Sequence, residues 1–110
     1  MTHGDIEKAI RQECRAYCHR RNRIKTMSEG SVATAYILLN KMIFDACKHI
    51  EDKNVQIYAP EFCEAMIEDI AYCRGYGNSK MSKYMSIGTY KVKKKCVKEA
   101  IASLFGWEAK

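Results

Sequence analysis

One proline and six glycines are the only strong backbone breakers in 110 residues, and a chain this poor in them agrees with a compact helical domain. No apolar run approaches the roughly 20 residues that a membrane helix requires, so no membrane partner is expected. The opening MTHGDIEKAI has no apolar h-region, and no secretory signal is expected. Six cysteines suggest a disulfide framework only in an extracellular chain. Here they read as reduced thiols, with the cytoplasm as the expected location. A Gly-rich phosphate loop is missing too, because Gly75-Tyr76-Gly77 lacks the Lys-Ser/Thr that would follow it. The three histidines (His3, His19, His49) show no pairing pattern with a nucleophile or carboxylate. Glu64, Glu68 and Asp69 read as a solvated helix face. A non-enzyme without a cofactor is expected.

What is present is core material and positive charge. Hydrophobic residues make up 47% of the chain, enough for one core in a single domain spanning 1–110, which excludes a disordered chain. The formal net charge is +6, which suits an anionic partner. Charge is unevenly spread. Between Asp45 and Asp69 stand seven acids and two lysines, so a nucleic-acid surface is expected at the basic ends of the chain.

Periodicity predicts an all-α bundle of about five helices. The first runs from about Gly4 to Ile24, opened by Thr2 and Asp5 as a capping box with Asp in place of Glu. Ile6, Ile10, Cys14 and Tyr17 form its apolar stripe. Its second half carries Arg11, Arg15, Arg20, Arg21, Arg23 and Lys25 against Glu13 alone, either a solvated helix end or a phosphate-contacting surface. Helix two runs from Val32 to about Ile50 after Ser31. Val32, Ala35, Tyr36, Leu39, Met42, Ile43, Ala46 and Ile50 make its stripe, and Ile37, Leu38 and Phe44 add apolar surface on other sides. A helix apolar on most sides is buried in the domain centre or shared with a partner subunit, and helix two is expected to be the spine of the fold, with a homodimer as the second reading. Glu51 to Asn54 end it, and Val55 to Tyr58 alternate as a short extended piece. Ala59-Pro60 opens helix three, with Phe62, Met66, Ile70 and Cys73 as its buried line and Gly75 as its C-cap.

The stretch Tyr76 to Lys98, YGNSKMSKYMSIGTYKVKKKCVK, organises the rest. A short helix is expected after Asn78 or Ser79, a break at Ser86-Ile87-Gly88, and a last helix capped by Thr89 and running to about Phe105. Val92, Cys96, Ala100 and Leu104 are its expected buried line, flanked by Val97 and Ile101, with Lys91, Lys94, Lys95 and Lys98 toward solvent. Gly106 should stop the helix and Trp107 fold back on the core. Short helix, turn and lysine-studded helix make the outline of a helix-turn-helix.

Met81-Ser82, Met85, Ile87 and Val92 resemble, without a gap, the apolar-small, apolar, turn-isoleucine and buried-valine positions of the helix-turn-helix in sigma region 4 and many small phage regulators. Two positions depart from that pattern: Ser86 stands where Gly is frequent, and Gly88-x-x-Lys91 replaces Ser-x-x-Thr. The match covers about a fifth of the chain. The later run Gly88 to Lys95, followed by Ala100 to Trp107, looks like the Tyr- and Lys-rich helix and aliphatic tail that end phage late-transcription regulators of the RinA and ArpU type. The resemblance implies a phage or prophage transcription regulator with its helix-turn-helix at 78–105, binding double-stranded DNA, with RNA polymerase as a protein partner; a homodimer is expected from helix two.

The DNA-contacting candidates are Lys80, Lys83, Thr89, Tyr90, Lys91, Lys94, Lys95 and Lys98, with Arg20, Arg21 and Arg23 from the first helix. Lysines neutralise phosphates, whereas base reading needs Arg, Asn or Gln at groove edges. Strong backbone contact with modest readout is therefore expected, and Tyr90 would touch a thymine methyl or a phosphate. Set against this, a lysine run also solubilises an exposed helix. Cys14 and Cys18 with His19 form one close ligand cluster, where zinc modules show two pairs, and inside an apolar stripe they read as core. The rival function is a small adaptor or inhibitor of a host polymerase or defence nucleoprotein that binds protein and ignores DNA.

Overall fold

Local sequence signals set where each helix starts and stops. In the computed structural model, which describes residues 1–48 and 59–108 with the side chains of 59–61 set aside, the described residues form four α-helices and no strand. They are α1 (His3–Ile24), α2 (Ser31–Lys48), α3 (Ala59–Ala71) and α4 (Ile87–Phe105). Two 3₁₀ turns, Tyr76–Asn78 and Lys80–Lys83, fill the chain between α3 and α4. The expected extended piece at Val55 to Tyr58 and the end of helix two at Ile50 lie outside the described residues.

The capping box opens α1 as expected: Thr2 Oγ1 accepts from the Asp5 amide at 3.1 Å, and Asp5 Oδ2 accepts from the Thr2 amide at 3.3 Å. The Thr2 backbone amide, and next its hydroxyl, hold the Asp5 carboxyl below its ordinary range. The expected helix after Ser79 is instead a four-residue 3₁₀ turn, so the described residues hold four α-helices rather than five. Ser79 does cap it, accepting from the Met81 amide at 3.1 Å. The C-cap of α3 is also displaced from its expected place. Cys73, not Gly75, takes the left-handed conformation (φ 54°), with the Arg74 amide reaching back to the Asp69 carbonyl at 2.8 Å. At the far end of α4, Gly106 (φ 71°) stops the helix and Trp107 stacks on Phe105 with centroids 4.9 Å apart.

α1 packs along α2 and α3, and α4 closes over all three. The core takes Ile10, Cys14, Tyr17 and Cys18 from α1, Phe62, Cys63, Met66, Ile67 and Ile70 from α3, and Ile43 and Cys47 from α2. Met81 from the second 3₁₀ turn and Val97 and Ile101 from α4 complete it. The expected stripes of α1 and α3 hold, apart from Ile6, which is half-buried, and Cys73, which is exposed. Those of α2 and α4 do not. On α2 the buried residues are Ala33, Asn40, Ile43 and Cys47, so of its expected stripe Ile43 is buried while Val32, Leu39 and Met42 are exposed, and the spine expected of helix two is instead α3, buried on nearly every side.

The reason is polar. Arg20 Nε donates to Asn40 Oδ1 at 2.7 Å, and Asn40 Nδ2 donates to the Tyr17 carbonyl at 3.0 Å. Seating that amide against α1 turns the helix by about one residue from the face its apolar side chains alone would choose. On α4 the buried residues are Tyr90, Val97 and Ile101, and Val92 is 63% exposed. The cause again is a polar contact, at Asp69.

Candidate nucleic-acid interface

Asp69 stands seven residues after Phe62 and three after Met66, which puts a carboxylate on the buried line of α3. It is 1% exposed. Two hydroxyls reach its Oδ2: Ser79 Oγ donates at 2.5 Å and Tyr90 OH at 2.9 Å. One buried acid thus holds the end of α3, the turn at 79–83 and the first turns of α4 together. Burial pushes the Tyr90 phenol up to about 12, and its bond to Asp69 adds to the shift. The Tyr76 ring lies 5.4 Å from that of Tyr90, tilted by 59°. The Tyr76 hydroxyl donates to the Met85 carbonyl at 2.7 Å and lies 3.1 Å from that of Ser82, fixing the segment that leads into α4.

That segment turns at Ser86. Its Oγ accepts from the Thr89 amide at 3.2 Å, so Ser86, not Thr89, caps α4, and the helix begins at Ile87. Thr89 Oγ1 in turn lies 3.1 Å from Ser86 Oγ. α4 then shows solvent a stripe of Ile87, Gly88, Lys91, Val92 and Lys95, all exposed. Lys95 has Glu99 at 4.0 Å across a fully solvated face, where such pairs contribute little. Lys80 and Lys83 are exposed on the second 3₁₀ turn and border an open cleft whose other wall is Glu64, Ala65 and Glu68 of α3.

The other candidates are committed to the fold. Tyr90 is 2% exposed, so the expectation that it touches DNA is corrected: its hydroxyl belongs to Asp69. Lys94 is half-buried, donates to the Arg74 carbonyl at 2.7 Å, and lies over the Tyr90 ring 5.4 Å from its centroid. Burial holds the Lys94 ammonium below its ordinary value, with the Asp69 carboxylate opposing the shift. Lys98 Nζ reaches Glu7 Oε2 at 3.1 Å and ties α4 to α1. The expectation that Lys94 and Lys98 face solvent with Lys91 and Lys95 is therefore corrected, because both flank the Tyr90–Val97–Ile101 line.

The basic end of α1 is likewise occupied. Arg20 is buried between Asn40 and Glu13, whose Oε1 it meets at 2.9 Å, and so is corrected as a surface cation. Arg21 Nη1 lies 2.8 Å from both Glu64 Oε2 and Glu68 Oε1. Burial works against its charge, but these two bonds outweigh it and raise its affinity for the proton. Tyr17 OH donates to Glu64 Oε1 at 3.0 Å and Arg15 Nε to the Ala71 carbonyl at 2.8 Å. Of the α3 acids that read as a solvated face, Glu64 and Glu68 are partners of α1, and Asp69 is the buried partner of Ser79 and Tyr90. Arg23 remains exposed in the last turn.

Sequence reasoning missed Asp69 and Ser79 as a hub, and Ile87 and Val92 as surface groups. For Asp69 a signal existed, since it breaks an otherwise apolar register on α3. Among the described residues no group of three or more His, Cys, Asp or Glu side chains is placed to hold a metal ion. Cys14, Cys18, Cys47 and Cys63 are buried, and Cys14, Cys18 and Cys47 form no disulfide. Burial pushes the Cys14, Cys18 and Cys47 thiols up, which makes them poor nucleophiles. Among the described residues no helix is long and apolar enough to cross a membrane. Comparison with known protein families, with curated proteins and with solved structures returns no match for this chain.

Proposed function

We propose that this protein is a transcription regulator that binds double-stranded DNA through the outer face of α4. The observation that carries the reading is the stripe Ile87, Gly88, Lys91, Val92 and Lys95, exposed along a 19-residue helix whose inner face is anchored on Asp69. Lys91 and Lys95 lie one helical turn apart and supply charge for phosphates, releasing counterions from the duplex. Val92 between them offers an apolar contact for a thymine methyl in the major groove. The helix N-terminus at Ser86–Ile87 carries the positive end of the helix dipole, which favours phosphate. Lys80 and Lys83, on the turn before the corner, extend the cationic surface toward the flanking backbone. The helix-turn-helix resemblance around 78–105 suggested this use of α4, but here a 3₁₀ turn at Lys80–Lys83 stands in place of its first helix and Val92, its buried-valine position, faces solvent.

The test is fluorescence anisotropy with a labelled random-sequence duplex across a salt series. Affinity should fall steeply with salt. The Lys91→Ala/Lys95→Ala variant should weaken binding and flatten the slope of log K against log salt by about 2, roughly one unit per phosphate contact. A chain that ignores duplex at low salt, or a double variant with an unchanged slope, refutes the reading and favours the protein-binding adaptor.

A further inference from the structure

α2 presents a second stripe that the fold leaves uncovered. Val32, Leu38, Leu39 and Met42 are between 37% and 56% exposed, and Ala35 beside them is exposed as well. Val32, Ala35, Leu39, Met42 and Ala46 are spaced three, four, three and four residues apart. That spacing keeps a seam aimed at one neighbouring helix. The buried face of α2, carrying Ala33, Asn40, Ile43 and Cys47, lies on a different side of the same helix. These apolar side chains together present roughly 400 Å², within the range of the largest patch on a typical monomer and often functional. A standard interface takes about 800 Å² per partner, a little over half of it apolar. The stripe is thus the size of the apolar part of one such interface.

The order of residues says what fits it. Ala35, Leu39, Met42 and Ala46 run small, large, large, small, so the seam reads the same in both directions. Laid antiparallel on itself, it sets Ala35 against the partner's Ala46 and Leu39 against the partner's Met42, with the alanines allowing close approach at both ends. A two-fold interface requires such self-complementarity, since each patch must fit its own copy. The five seam positions hold no charged residue, so a chain of net charge +6 meets itself there without placing like charges in contact. We propose that the protein is a homodimer paired through antiparallel α2 helices.

Sedimentation equilibrium of the whole chain in reductant, which prevents chance disulfides through the exposed Cys73, should return twice the 12.7 kDa chain mass. Met42→Glu should weaken the association constant at least tenfold while the far-ultraviolet helical signal is kept. Ala35→Glu serves as the second variant should Met42→Glu fail to fold. Isotope-filtered spectra of a mixed-label sample should show Leu39 methyls near Met42 methyls of the other copy. A monomer at every concentration overturns the proposal and leaves the stripe to a different protein. So does a dimer that both glutamate variants spare, or one without the Leu39–Met42 contact.

Discussion

Tyr90→Phe separates the two places Tyr90 could stand. The substitution keeps the ring against Tyr76 and Lys94 and removes one oxygen. In the folded chain that oxygen donates at 2.9 Å to a carboxylate that is 1% exposed. A hydrogen bond to a charged acceptor contributes about 1.5–3 kcal/mol, and Asp69 would keep Ser79 as its donor on Oδ2. A loss of about 2 kcal/mol lowers the melting temperature of a domain this size by roughly 10 °C. Circular dichroism melts and urea titrations at neutral pH read the change. Ser79→Ala should cost a similar amount. Because both hydroxyls share one oxygen, the double variant should depart from the sum of the two singles. A tyrosine that faced DNA would give the opposite pattern, with an unchanged melt and weakened duplex binding. Should Tyr90→Phe melt within a degree or two of the parent, the buried hub is refuted, and with it the reason Val92 faces outward.

Alkaline pH tests the same group by another route. A Tyr90 phenol raised to about 12 in the folded chain against about 10 when unfolded binds its proton more tightly when folded. Its contribution is intact below about pH 10 and is lost as pH climbs through about 12. Tyr17 is also pushed up by burial and acts in the same direction. The difference between parent and Tyr90→Phe, followed by urea unfolding across that window, therefore isolates Tyr90 and should shrink as pH rises; a constant difference argues against the shift. At the C-cap of α3, Cys73 holds a left-handed backbone at φ 54° that strains any residue with a Cβ. Cys73→Gly should raise the urea midpoint by the equivalent of about 0.5–1 kcal/mol, and a lower midpoint would show that the thiol itself stabilises the turn.

Helix positions were legible because their causes are local. Thr2 and Asp5 cap α1 through a three-residue reach, Gly106 ends α4 through its own backbone angle, and the 3.6-residue period marks all four helices. The stripe of α1 was legible because that helix is apolar on one clear side, and that of α3 because from Phe62 to Ala71 only Glu64 and Glu68 stand outside the core. Which side of α2 and α4 would be buried was not written in the period, because both helices offer apolar residues on more than one face. That choice was made by single polar contacts with distant residues, Asn40 with Arg20 across 20 positions and Tyr90 with Asp69 across 21. An unpaired polar group in a core costs more than one exposed valine. The lysines follow from it: their number and helical spacing belong to the sequence. That Lys91 and Lys95 stand in solvent while Lys94 and Lys98 are held by the Arg74 carbonyl and by Glu7 was decided only when α4 settled on Asp69.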